Sequence, residues 1–150
     1  METNIIFIVL NSAVKSHIVC ELAEKCYLND KRVIIYIDRE EECNKIDNVL
    51  WTWKQHSFVP HKCVNSLSSS HTEAVILTTE IKTVSDYDTL LMFDPVPLDI
   101  INQFSLAIDF AEKYDKQAIA LSRERYKLYR DQKLRIDTMQ PGEFLHTAFS

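Results

Sequence analysis

The sequence predicts a three-layer α/β/α fold around a mostly parallel sheet of about five strands. Short β-branched apolar runs alternate with stretches of helical periodicity. The connections between them are short. The first runs are apolar almost throughout, as strands covered on both faces are. With 150 residues and 46% hydrophobic content, the chain matches one domain, residues 1–150, able to bury roughly two-thirds of its unfolded surface.

Asn4–Leu10 (NIIFIVL) reads as the first buried strand. Residues 13–28 space Val14, Ile18, Leu22 and Cys26 at intervals of four, the stripe of an amphipathic helix that ends at Asn29-Asp30. RVIIYID at 32–38 is a second strand. Asp38 with Glu41 resembles a capping box opening a helix with Cys43, Ile46, Leu50 and Trp53 on one side. Further strands are expected at Glu73–Thr79, Thr89–Phe93 and 105–109, with a short helix at 97–103 and a long terminal helix at 113–135. Ser66–Ser70 is a serine-rich loop too short to divide domains.

Several function classes are disfavoured at once. The single glycine, Gly142, permits neither dinucleotide-binding nor P-loop glycine patterns, whose glycines let backbone amides approach phosphates. No apolar run approaches the roughly 18 residues of a membrane span, and Ile5–Leu10 follows an acidic residue where a signal peptide would carry basic ones. A cytoplasmic location follows as the expectation, with Cys20, Cys26, Cys43 and Cys63 reduced. Their spacings fit no zinc or redox pattern. No cofactor is called for.

Charge is segregated. Residues 116–135 hold seven basic side chains against Glu124 and Asp131, a net +5, and the remaining 130 residues carry −10. At about 100° per residue, Lys116, Arg123, Lys127 and Arg130 form a narrow stripe with Ile119 and Tyr126 along its edge. Ala118, Leu121, Leu128 and Tyr129 are expected to face the sheet, and Arg125 on that side calls for a structural partner. A solvated helix face is the simplest reading of the stripe. Nucleic acid is a second, which an acidic body disfavours by repelling a long phosphate backbone. A short acidic peptide is a third: guanidinium forks meet its carboxylates, and an apolar edge takes one anchoring side chain.

A second unusual stretch, LWTWKQHSFVPHK at 50–62, gathers Trp51, Trp53, Phe58, Val59 and Pro60 with His56 and His61 in an expected loop. So aromatic a loop either folds into a minor core, Trp51 especially, or meets a partner. His56, His61 and Cys63 match no standard zinc spacing. A Cys63–His61 nucleophile pair is set aside on the expectation that the two side chains diverge. Asp94, Asp99 and Asp109 follow strands and read as caps or turn residues, so no catalytic constellation emerges.

At these two segments the chain resembles the chi subunit family of the bacterial DNA polymerase III holoenzyme. The resemblance rests on "LW" followed by "SFVPH", with Trp51 and Phe58 seven apart, and on "L-x-RERYKxYR" at 121–130. It implies a non-catalytic adaptor in DNA replication. One partner would be the psi subunit, which connects chi to the clamp loader. The other would be the acidic C-terminal tail of single-stranded DNA-binding protein, which ends in proline and phenylalanine and gives indirect contact with single-stranded DNA. Carried over by position, the tail-binding residues are Arg123, Tyr126, Lys127 and Arg130, flanked by Ile119 and Lys116. Ile119 stands where the family has a lysine, and Lys116, one turn earlier, is placed to substitute. The psi-facing residues would be Phe58, Val59, Pro60 and His61, supported by Trp51. The alternative is a direct single-stranded nucleic-acid binder using the same helix, with stacking on Tyr126 and Tyr129.

Overall fold

A computed structural model describes residues 3–52, 58–64, 72–81 and 86–147. The strands are β1 (Asn4–Leu10), β2 (Val33–Tyr36), β3 (His61–Val64), β4 (Val75–Thr78), β5 (Thr89–Met92), β6 (Leu106–Glu112) and β7 (Arg135–Met139). The helices are α1 (Ser16–Leu28), α2 (Glu40–Thr52), α3 (Leu98–Ile101), α4 (Lys116–Asp131) and α5 (Pro141–Thr147). Among the described residues, seven strands pair in parallel in the order β3-β4-β2-β5-β6-β1-β7.

The two-residue period of β1 sets out the three layers. Ile6, Ile8 and Leu10 point into a core shared with α1, α2 and Phe144 of α5. Ile5 and Phe7 point the other way, into a core with α3, Phe104 and Tyr129 of α4. Because β2, β4 and β5 are covered on both sides, almost every residue in them is buried, which is why they read as unbroken apolar runs.

The sheet has two strands more than expected, one at each edge. β3 occupies part of the expected loop 50–62, and β7 begins where the terminal helix was expected still to run. Helix α4 stops at Asp131 because Lys133 adopts φ 60°. The Lys133 amide donates to the Arg130 carbonyl at 2.9 Å and the Leu134 amide to the Tyr129 carbonyl at 3.1 Å, the Schellman arrangement usually built on glycine. Helix α1 ends the same way, with Asp30 at φ 62° and the Lys31 amide donating to the Cys26 carbonyl at 3.0 Å.

Smaller expectations are also corrected. Val14 lies outside α1 and is exposed. Asp38 does not open α2: the helix starts at Glu40, and the Asp38 amide donates to Asp94 Oδ2 at 2.8 Å, tying the loop after β2 to the loop after β5. Burial, joined by the side-chain hydrogen bond and the negative charge of Asp38, raises the Asp94 carboxyl above its ordinary range. Ser66–Ser70, Trp53 and His56 lie outside the described residues.

Candidate functional site

Helix α4 is fixed before its exposed face can be used. Asp115 caps it, accepting from the Ala118 amide at 2.7 Å. Beneath it, Arg125 does have its structural partners: Nε meets Asp109 Oδ2 at 2.9 Å, and Nη2 meets the Phe110 carbonyl at 3.1 Å and Glu112 Oε2 at 3.5 Å. Tyr129 donates to Asp109 Oδ2 at 2.9 Å. Lys15 closes the group from the far side, 3.2 Å from Glu112 Oε1. Two largely buried cations thus face two largely buried carboxylates, the pairing under which buried charges are tolerated.

Asp109 is therefore no cap or turn residue. It sits inside β6, which runs on to Glu112, and is 2% exposed. The titrations reflect the packing. Burial lowers the affinity of the Arg125 guanidinium for its proton, yet Asp109 and Glu112 outweigh it and hold the value above the ordinary one. Burial and then Asp109 push the Tyr129 phenol strongly upward. Burial and the hydrogen bond to Glu112 take Tyr114 to about 12.

This anchoring fixes the rotation of α4. Ala118, Ser122 and Tyr129 face the sheet, whereas Leu121 and Leu128, expected there too, are each 46% exposed on one flank. The basic stripe occupies the opposite flank. Lys116, Arg123, Tyr126, Lys127 and Arg130 are exposed, and Ile119 is half-buried.

A cavity of about 330 Å³ opens along that flank, between α4 and the β7 end of the sheet. Ile119, Ser122, Arg123 and Tyr126 form its helix wall; Phe7, Ala111, Lys113 and Thr138 complete it from β1, the end of β6 and β7. The Tyr126 ring leans on Phe7, centroids 5.7 Å apart. Lys116, Lys127 and Arg130 share the helix but do not line the cavity. Chemically, the arrangement offers an apolar recess with a guanidinium and an ammonium at its rim, suited to a ring or aliphatic group attached to an anion.

Sequence reasoning missed Phe7, Ala111, Lys113, Ser122 and Thr138. Thr138 depends on β7, which the helix pattern concealed. Phe7 has a visible signal in the alternation of β1, but which helix covers that face emerges only from the strand order.

The aromatic segment lies at the opposite edge. Trp51, at the end of α2, is 58% exposed and Phe58 is 63% exposed, with ring centroids 6.0 Å apart. Trp51 thus packs at home less than expected. Val59 and His61 turn inward, and Pro60 is half-buried. The His61 ring meets that of Trp51 at a tilt of 55°, centroids 4.6 Å apart, and its Nδ1 meets the Val59 carbonyl at 2.7 Å. Its Nε2 lies 3.2 Å from Asp47 Oδ1 without the alignment of a hydrogen bond. Of the five expected contact residues, two point outward.

His61 and Cys63 do not diverge as expected: two apart in β3, they share the face toward α2, as strand periodicity dictates. They still form no nucleophile pair, because His61 engages Val59 and Asp47 while Cys63 meets Cys43. Among the described residues, no group of three His, Cys, Asp or Glu side chains could hold a metal ion, and no helix is long and apolar enough to cross a membrane.

The family model and the curated relatives agree on one family. Residues 2–137 match the family described as "DNA polymerase III chi subunit, HolC". The chain is 30% identical to DNA polymerase III subunit chi of Escherichia coli over 113 residues, 75% of this chain and 76% of that protein. It is 29% identical to the Haemophilus influenzae subunit of the same name over 125 residues, 83% and 86% of the two chains. Among solved structures, Saccharomyces cerevisiae Dbp5 bound to RNA and ADP BeF3 overlays with a TM-score of 0.65 at 12% identity. That overlay covers all of this chain but 46% of the other, and shows a shared fold only. With the family matching nearly the whole length, the chain belongs to the DNA polymerase III chi subunits.

Proposed function

We propose that this chain acts as a replication adaptor, holding the acidic C-terminal tail of single-stranded DNA-binding protein beside α4 and a psi subunit at the β3 edge. As a member of a family of polymerase accessory subunits, it is not itself an enzyme. The observation that carries the tail assignment is the cavity shared by Ile119, Arg123, Tyr126 and Phe7. An apolar recess with cations at its rim suits a peptide that ends in a phenyl ring and a carboxylate. Lys116, Lys127 and Arg130, exposed along the same helix, would attract the acidic residues that precede that end. Its cytoplasmic setting is part of the same proposal.

The psi assignment rests on Trp51 and Phe58, adjacent exposed rings of the kind that form interface centres. β3 and β7 are the two edges of the sheet. Six inter-strand steps of about 4.8 Å separate them, roughly 29 Å along the sheet. Two partners at that separation could be held at once, which is what a bridging role requires.

A labelled acidic peptide ending in Asp-Ile-Pro-Phe, titrated by fluorescence anisotropy, tests the tail assignment. Saturable binding that weakens with salt supports it. If the peptide stays free while bare single-stranded DNA binds the isolated protein, the direct nucleic-acid reading takes its place; it draws on the same exposed Tyr126.

A further inference from the structure

Two of the four cysteines have found each other. Cys43, buried in the first turns of α2, and Cys63, half-exposed in edge strand β3, place their sulfurs 2.9 Å apart. That is within about 1 Å of the roughly 2.05 Å disulfide bond. The thiols are twenty positions apart in sequence and lie where α2 meets β3, the strand whose His61 contacts Trp51. Cys20 and Cys26 have no such arrangement: both are fully buried in α1, and burial takes each thiol up to about 12.

We propose that Cys43 and Cys63 are a modification site: a vicinal thiol pair that a peroxide converts into a reversible intramolecular disulfide linking α2 to the β3 edge. Access decides the order of events. Cys63, the more open of the two and 4.0 Å from Asn44 Oδ1, meets the oxidant. Its sulfur attacks one peroxide oxygen, the O–O bond breaks, and a sulfenic acid and water result. The Cys43 sulfur then attacks the sulfenic sulfur, the S–O bond breaks, and the S–S bond forms with loss of a second water. In sum two thiols and one hydrogen peroxide give one disulfide and two waters; the sulfurs supply both electrons.

The surroundings set the pace. Burial first, then the hydrogen bond to Cys63 and the nearby Asp47 and Glu40, raise the Cys43 thiol well above its ordinary value. Thiolate is scarce on Cys43 at neutral pH, so closure of the disulfide is slow and accelerates as pH rises. Once made, the bond fixes β3, and with it His61 beside Trp51, against α2.

The test uses the full chain, treated with hydrogen peroxide at pH 7 and pH 9 and then denatured for thiol counting and digested for non-reducing peptide mapping. The expected result is a fall from the four thiols of the sequence to two, faster at pH 9. It comes with a mass loss of two hydrogens, a single linked pair of peptides carrying Cys43 and Cys63, and full reversal by a thiol reductant. Cys63→Ser should abolish the linkage, and Cys43→Ala should leave Cys63 as a free or singly oxidised thiol. Mapping on the unsubstituted protein decides the matter even where a variant folds poorly. Four persistent thiols, linkage between two chains, or oxidation of Cys63 to sulfinic acid with Cys43 free would each overturn the proposal.

Discussion

The two edges of the sheet are finished in different chemistries. At the β7 edge a cationic helix stands over a recess floored by Phe7, and an interior ionic group sets its orientation. At the β3 edge, Trp51 and Phe58 stand exposed over a buried histidine, with no arginine among the described residues of the segment 51–64. One edge is suited to an anion that finds it by charge. The other is suited to an apolar surface that must displace water from the rings. The proposed adaptor role draws on that contrast: two such partners would not compete for one site, and salt should weaken one contact far more than the other.

The largest expected effect comes from removing what holds the cationic edge in place. Asp109→Ala strips Arg125 and Tyr129 of their shared carboxylate and leaves the Arg125 cation with the more distant Glu112 and the Phe110 carbonyl. A loss of about 3–5 kcal/mol is expected, the usual cost of breaking a buried pair from one side. Urea unfolding followed by circular dichroism measures it. A loss below 1 kcal/mol would mean that the ionic group does not anchor the helix.

Next comes the exposed face. Arg123→Ala should weaken the acidic peptide roughly 10- to 100-fold, the range for a charge-assisted hydrogen bond, with no change in the urea midpoint. Trp51→Ala should leave that affinity untouched and reduce capture of a psi subunit in a pull-down. If both substitutions weakened the same ligand, the edges would not be independent.

A broader test is the alkaline limb of stability. Cys20 and Cys26 have folded values near 12 against an ordinary 9.0, and Tyr129 is raised from 10.0. Groups whose folded values are raised stabilise the fold fully below their unfolded values, and that stability is lost as pH rises toward the folded ones. Unfolding free energy should therefore fall progressively above about pH 9. Tyr129→Phe should flatten the upper part of this decline. A profile flat to pH 11 would contradict the burial assigned to these groups.

The smallest effect concerns the helix end. Lys133→Gly should stabilise by about 0.5–1 kcal/mol, because glycine takes the left-handed conformation without the Cβ strain lysine bears.

That same position explains much of what the sequence concealed. Reading α4 through to 135 followed a continuous run of charged and apolar residues in which no glycine or proline marked an end. The stop is a Schellman turn built on lysine, a backbone choice that leaves little trace in composition. With the helix overextended, β7 vanished and Thr138 with it. At the other edge, β3 is four residues long, opens on His61 and Lys62, and pairs on one side alone. Its signal was lost among the aromatic residues before it.

The central strands were legible because both faces are buried and their composition follows directly. The basic stripe was legible because helical spacing needs no tertiary information. Arg125 was recognisable as a misfit on an apolar face, but its partner Asp109 lay in a strand expected to end at that residue. Leu121 and Leu128 misled for a related reason. Hydrophobicity alone would turn α4 toward them, whereas the Asp109–Arg125–Tyr129 group, some 60–80° away around the helix at about 100° per residue, sets the rotation.

The most direct test of the two-edge account is one titration of the labelled Asp-Ile-Pro-Phe peptide against the unsubstituted protein, Arg123→Ala and Trp51→Ala, each at low and high salt. The account predicts salt-weakened binding for the unsubstituted protein and Trp51→Ala alike, and little or none for Arg123→Ala. Equal binding by all three proteins, indifferent to salt, would contradict it.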